Sequence, residues 1–344
     1  MFKMIEEYGH ECVISTCDKK TGLKAIIAVH DTTLGPALGG TRMWNYDSED
    51  AALYDVLRLS RGMTYKNAAA NLDLGGGKAV IMGDCKKIKT RELLEAYGRM
   101  VESLGGSYIT AEDVNTSVAD MAVIRTQTAH VAGMEGLSGD PSPLTARGVY
   151  QGIRAAVHAK FGTDDLKGMR FALQGLGKVG YDVCRRLTAD GAVGTVFDIN
   201  AAAVERAAAE MGVHPAEGSI LEQECDVFVP CALGAVISAE NAGRLKCRIV
   251  AGSANNVLVD NAAGDALANL DILYVPDFII NAGGVINVAG ELDKDGYDQA
   301  AVLKKVDAIY DTVSAVIKTA RTHGMLPYMA AEKLAQDRIN AHKA

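Results

Sequence analysis

What this sequence of 344 residues lacks narrows it first. No apolar run approaches the roughly 20 residues that a membrane-spanning helix needs, and mean hydropathy is only +0.06. The opening residues, MFKMIEEYGHECVIS, carry acids where a secretory leader has its apolar stretch, so a soluble, cytoplasmic protein is expected. Positive charge is not in excess. With 35 Lys and Arg against 43 Asp and Glu, the formal net charge of −8 argues against a protein devoted to nucleic-acid backbones. No two of the seven cysteines (Cys12, Cys17, Cys85, Cys184, Cys225, Cys231, Cys247) form a C-x-x-C pair, which speaks against a disulfide framework or a zinc site. They read as reduced, mostly buried small hydrophobes. The seven histidines are scattered, and none accompanies a Ser or Cys nucleophile motif, so the chemistry is not expected to run on imidazole.

What is present suffices for real cores: 49% of residues are hydrophobic and 23% charged, and the length suits two domains. Residues 24–30 read as a strand and 31–40 as a loop broken by Pro36 and paired glycines. Residues 49–62 have a helical pattern, and Gly75, Gly76 and Gly77 precede a short apolar strand. Residues 90–104 form an amphipathic helix with Thr90 as N-cap, followed by the strand SYITAEDV. The stretch 139–143, GDPSP, reads as a helix-breaking hinge before a helix over 145–160. Beyond it strands and helices alternate, the pattern of a parallel, doubly wound α/β sheet. The segment 300–342 is helical, broken at Gly324 and Pro327, and its end is expected to return to the first domain. The expected division is 1–140 plus about 323–344 for one domain and 141–322 for the other, with a cleft between them.

Gly175-Leu176-Gly177-Lys178-Val179-Gly180 is a G-x-G-x-x-G. In a chain with 36 glycines that string alone is weak, but it follows the strand FALQ and opens a helix, and Asp198 closes the next strand. This context predicts a Rossmann unit: glycines for the turn and the close approach, a pyrophosphate on the helix N-terminus, and Asp198 on the adenine ribose hydroxyls. A carboxylate there repels a 2′-phosphate, so NAD rather than NADP is expected.

Most lysines are solvated. Lys66, in RGMTYKNAAANL, and Lys78, between three glycines and the apolar AVIM, stand in charge-poor surroundings. Burial there disfavours the ammonium form and moves a lysine toward use as a base. With Asp113, in TAEDVN, two amines and one acid could bind and process a zwitterion.

These residues carry a resemblance that runs through nearly the whole chain: HDTTLGPALGGTR (30–42), RLSRGMTYKNAAANLDLGGGKAVI (58–81), AEDV (111–114), GDPSPLTARGVYQGI (139–153), QGLGKVG (174–180), PCALGAVI (230–237), IVAGSANN (249–256) and PDFIINAGGVINVAGEL (276–292). The sequence resembles the glutamate/leucine/phenylalanine/valine dehydrogenases, most of all those acting on leucine. The resemblance implies NAD-dependent, reversible oxidative deamination of an L-amino acid to its 2-oxo acid and ammonia. It also implies an N-terminal domain for substrate and oligomerisation, a C-terminal Rossmann domain, and a homo-oligomer. It assigns Lys66 to the substrate carboxylate, Lys78 to activation of water as general base, and Asp113 to proton transfer at the amino group. Asn255 would hold substrate beside the nicotinamide, Thr145 would face its ring end, Lys178 and Val179 would lie along the cofactor, and Gly39 and Gly40 would line the substrate site through their backbone.

By the same resemblance Leu38, Ala111, Val285 and Val288 form the side-chain pocket. All are apolar, and an unpaired glutamate carboxylate among them would cost at least the roughly 2–7 kcal/mol of an unpaired polar group. A branched-chain aliphatic substrate is therefore expected. Asn71, Asp73, Thr41, Asn115-Thr116-Ser117 and the short tail RINAHKA depart from the leucine pattern, and Asn115 and the tail resemble the phenylalanine and tryptophan branches, which makes an aromatic amino acid the alternative. A hydroxy-acid dehydrogenase would want a His–carboxylate pair, for which His30 is the nearest residue and reads better as packing. A non-catalytic NAD-binding protein would have lost one of Lys66, Lys78, Asp113 or Asn255, and none is lost.

Overall fold

A sheet that carries apolar residues on both faces needs cover on both, and the first sheet receives it. The computed structural model describes residues 1–343. Strands β1 (Cys12–Asp18), β2 (Leu23–Asp31), β3 (Ala37–Trp44), β4 (Gly75–Met82) and β5 (Tyr108–Glu112) pair in the order β1-β2-β4-β3-β5. β2 is antiparallel to β1 and β4, and β3 runs parallel to β4 and β5. On one face helix Glu49–Ala69 packs Ala52, Leu53, Val56 and Leu57 against Ala28 and Val80. On the other, Ile27, Ala79 and Ile81 meet Leu93 and Tyr97 of helix Arg91–Glu102 and Met121 and Ile124 of helix Val118–Arg125. Thr90 caps the first of these, its hydroxyl accepting from the Leu93 amide at 3.2 Å.

Two expectations change here. Half of the stretch 31–40 is strand, with 32–36 left as the connection, and Gly39 and Gly40 lie inside β3. A Cβ on Gly39 would sit 1.7 Å from the Gly77 carbonyl oxygen, and one on Gly40 2.6 Å from that of Glu112. These glycines serve close packing of strands; the turn signal that paired glycines usually give is overridden by tertiary contact. The helix expected over 49–62 runs on to Ala69 and carries Lys66 in its last turn.

In the second sheet β6 (Arg170–Gln174), β7 (Val193–Phe197), β8 (His214–Pro215), β9 (Val227–Pro230), β10 (Ile249–Val250) and β11 (Leu273–Tyr274) are all parallel, in the order β11-β10-β9-β6-β7-β8. The order reverses at β6, as in doubly wound sheets. β8 is too short to have shown in the sequence. The division between the two units falls inside the GDPSP stretch, after Asp140, but the helix expected over 145–160 begins earlier. Helix Ser142–Phe161 starts inside that stretch, because a proline in a first turn removes an N–H that has no helical partner anyway.

The chain divides into two compact units, Met1–Asp140 with Val288–Asp298 and the stretch from Ala335, and Pro141–Asn287 with Gln299–Leu334. Two segments differ from the expected division. Residues 288–298 belong with the first unit, where the Glu291 carboxylate accepts from the Gly133, Met134 and Ser138 amides at 3.0 Å each and from the Ser138 hydroxyl. Residues 323–334 stay with the second, where Tyr328 packs on its core beside Gly264. The last helix, Pro327–Lys343, then ties its end to the first unit. Arg338 donates to the carbonyls of Ala68 (3.2 Å) and Leu72 (2.6 Å) and to Asp73 (2.7 Å) at the end of helix Glu49–Ala69. Among the described residues no helix is long and apolar enough to cross a membrane.

Candidate active site

Side chains alternate along a strand, so Leu38, Gly40 and Arg42 of β3, Gly76 and Lys78 of β4 and Ala111 of β5 share one face of the first sheet. Helix Glu49–Ala69 lies on that face, close enough that a Cβ on Gly76 would fall 2.1 Å from the Thr64 amide nitrogen. Lys66 leaves the helix two residues beyond Thr64, and Lys78 leaves β4 two residues beyond Gly76. Asn67 clamps the two elements together, its side-chain amide donating to the Gly75 carbonyl at 2.6 Å.

Lys78 is 6% exposed, and its Nζ stands 2.8 Å from Asp113 Oδ2. Asp113 follows β5 directly. Its amide donates to the Thr116 hydroxyl at 2.9 Å, and that hydroxyl donates to the Thr41 carbonyl at 2.8 Å, which fixes the turn. Asn115 takes the left-handed conformation there (φ 62°), its side-chain amide donating to the Met43 carbonyl at 2.9 Å. Burial pushes the Asp113 carboxyl up, but Lys78 and then Arg42 pull it down further and leave it below the usual carboxylate range. Arg42 Nε is 3.3 Å from Asp113 Oδ2 and its Nη1 3.0 Å from Asp55 Oδ2. Tyr46 donates to Asp55 at 2.7 Å, and burial together with that bond holds its phenol well above the ordinary range.

Behind the glycines of β3 the other face is polar and closed. Tyr108 donates to the Gly39 carbonyl at 2.6 Å, and Thr41, Tyr97 and Thr110 share hydroxyl bonds. His30 is packed, as its sequence position suggested. Its Nδ1 lies 2.8 Å from the Thr64 hydroxyl and its ring stands edge-on to His10 at 4.8 Å.

In the second unit the G-x-G-x-x-G joins β6 to helix Lys178–Ala189, with Gly177 as an N-cap that provides no side-chain cap bond. Lys178 and Val179 form the first turn. Gly175 takes φ +99°, and a Cβ on Gly180 would meet the Gly175 carbonyl oxygen at 2.0 Å, whereas one on Gly177 would meet open space. This loop fits a dinucleotide on those observations: backbone amides open the helix, and there is room beside Gly177. Asp198 accepts from the Leu176 amide at 2.6 Å and the Asn200 amide at 2.8 Å, so the turn and the end of β7 hold it. Asn255 is exposed, and its Oδ1 accepts from Asn281 Nδ2 at 2.7 Å. Thr145 donates to the Pro141 carbonyl at 3.0 Å, and its hydroxyl is 2.7 Å from where a Cβ on Gly284 would stand, beside Val285. Val285 and Val288 are half-buried, three residues apart on helix Gly283–Ala289.

Lys78 and Asp113 thus touch; Leu38, Gly40 and Ala111 share their face; and Lys66 ends the helix that lies on it. Sequence reasoning missed Arg42, Asp55 and Tyr46 around Asp113, Tyr108 behind Gly39, and Asn281 beside Asn255. Of these, Arg42 and Asn281 lie within strings that carry the resemblance, 30–42 and 276–292.

Two family models match the chain. The Glu/Leu/Phe/Val dehydrogenase dimerisation domain covers residues 10–130, and Glutamate/Leucine/Phenylalanine/Valine dehydrogenase covers 199–344. A leucine dehydrogenase of Bacillus cereus is 52% identical over 100% of this chain and 94% of its own length. A valine dehydrogenase of Streptomyces virginiae is 43% identical over 97% of this chain and 95% of its own. The crystal structure of L-tryptophan dehydrogenase from Nostoc punctiforme superposes with a TM-score of 0.88 at 44% identity, covering 100% of this chain and 99% of that one. Sheet order, the lysine-bearing glycine strand and these matches lead to one assignment: the chain belongs to the Glu/Leu/Phe/Val dehydrogenase family.

Proposed function

We propose that this amino-acid dehydrogenase catalyses the reversible, NAD-dependent oxidative deamination of a branched-chain L-amino acid, leucine-like, to its 2-oxo acid and ammonia. The observation that carries the reading is the 2.8 Å contact between buried Lys78 and Asp113, beside the apolar Leu38 and Ala111.

A bound nicotinamide supplies the acceptor for the hydride that leaves the substrate Cα. Lys66, at the end of its helix, pairs with the substrate carboxylate. Asp113 takes a proton from the substrate ammonium, and the resulting amine becomes an iminium once the hydride has gone. Lys78, in its neutral form, takes a proton from water through Nζ, and the hydroxide attacks the iminium carbon. As Asp113 returns that proton to the nitrogen, the C–N bond of the resulting carbinolamine breaks, ammonia leaves, and the hydroxyl gives its proton to the Asp113 carboxylate as the carbonyl forms. In the second unit Gly175, Gly177, Lys178, Val179 and Gly180 would hold the pyrophosphate and Asp198 the adenine ribose, which favours NAD. Thr145 and Asn255 would lie at the nicotinamide end, with Asn281 holding Asn255. Gly39 and Gly40 would meet the substrate through the backbone.

The apolar character of Leu38, Ala111, Val285 and Val288 supports an aliphatic side chain and disfavours glutamate. An aromatic substrate is the second reading, favoured by the 44% identity to the L-tryptophan dehydrogenase over the whole chain. We place the contact of a homo-oligomer on the first unit, where the dimerisation-domain model matches. The test is the rate of NAD and NADP reduction on a panel of L-amino acids. Leucine, isoleucine and valine should lead, with NAD far ahead of NADP. Phenylalanine or tryptophan outrunning leucine moves the assignment to the second reading.

A further inference from the structure

We propose that Arg42 is a positioning residue for the Lys78–Asp113 pair, holding the carboxylate in place and supplying its counter-charge whenever Lys78 is neutral. The proposal rests on the reading of Lys78 as a base.

Arg42 stands on the Lys78 face of the sheet and reaches in two directions, 3.3 Å to Asp113 Oδ2 and 3.0 Å to Asp55 Oδ2. Asp55, on helix Glu49–Ala69, is in turn held by the Tyr46 hydroxyl at 2.7 Å and approached by Arg58 at 3.7 Å. A single tie from Arg42 to Asp55 would be an ordinary bond from sheet to helix. The second carboxylate makes it more than that, because Lys78 Nζ and Arg42 Nε converge on the same oxygen of Asp113.

The proposed reaction requires Lys78 to lose its proton at one stage. A mostly buried carboxylate whose only cation has just been neutralised is costly. Arg42 cannot be deprotonated in this pH range, so Asp113 keeps a cation throughout, and the anchor on Asp55 keeps the arginine from following the lysine's motion. The charged groups facing Asp113 are Lys78 from β4 and Arg42 from β3, with Asp55 behind the latter on the helix.

The experiment compares full-length wild type, Arg42→Gln, Arg42→Lys and Lys78→Ala for L-leucine-dependent NADH formation between pH 6 and 11. Arg42→Gln should cut kcat roughly tenfold to hundredfold. It should also move the acid limb of kcat/KM up by about one pH unit, because the pair loses a neighbouring cation and releases its proton less readily. Arg42→Lys keeps the charge and should restore the limb while recovering kcat only in part, since one ammonium cannot reach both carboxylates. An Arg42→Gln enzyme with a lower Tm but a wild-type kcat and acid limb overturns the proposal. Should that variant fail to fold, wild-type kcat in Arg42→Lys overturns it equally. A wild type without amino-acid-dependent NAD reduction, or an active Lys78→Ala enzyme, defeats the underlying reading instead.

Discussion

The two units use their interiors differently. Among the described residues, the buried polar and charged ones His10, Thr41, Ser60, Thr64, Asn67, Lys78, Thr110 and Thr128 lie in the first unit, and only Asn281 and Asn287 in the second. In the second sheet the buried strand residues are mainly apolar, and every group proposed to meet a ligand sits on a loop, a helix start or a strand end. The first sheet brings a lysine, hydroxyls and histidines into its packed layers. A nicotinamide-dinucleotide fold can deliver its cofactor from the rim, where backbone amides suffice. Proton transfer at a small zwitterion needs side chains whose charge and position are set by burial.

The sharpest way to break this contrast is to remove the buried amine. Lys78→Ala should lower turnover by roughly 10³-fold or more while NAD binding, followed by fluorescence titration, stays within a factor of two. Turnover near wild type would put the chemistry elsewhere. Acid should then separate the units. Burial, and after it the charge of His30, brings His10 down to about 4. Above about pH 6.5 His10 is neutral whether the chain is folded or not; between that value and 4 only the unfolded chain takes the proton. Stability should therefore fall through this window by on the order of 3 kcal/mol, the equivalent of the shift. In the second unit burial pushes the Cys184 and Cys225 thiols up to about 12, so its core stays neutral throughout. Denaturant titrations from pH 7 to 4 should show the slope shrinking in His10→Leu; identical slopes would refute this origin. The smallest effect tests the rim. Asp198→Asn should raise the KM for NAD roughly tenfold, the loss of about one hydrogen bond to a charged acceptor, and narrow the preference over NADP without moving the acid limb of activity. An unchanged ratio of NAD to NADP would remove Asp198 from the ribose.

The second unit was largely legible because its signals are local: a strand, a glycine turn and a helix in succession, with an acid closing the next strand. In the first unit the same habit of reading misled. Gly39 and Gly40 look like a turn until Gly77 and Glu112, far along the chain, are seen against them. Lys78 and Asp113 stood out by their charge-poor and strand-end contexts, but their separate roles came only through resemblance. Arg42 and Asp113 are 71 residues apart, and nothing near either one announces the other. The same is true of Glu291, whose amide partners lie over 150 residues upstream and draw 288–298 into the first unit. Pairings of this kind depend on which strands become neighbours, and periodicity carries no record of that.

The grip of Arg338 on the end of helix Glu49–Ala69 gives the order of synthesis a meaning. Asp73, just beyond the helix end that carries Lys66, is made 265 residues before the arginine that grips it, so this fastening cannot form until the C-terminal helix has itself been made.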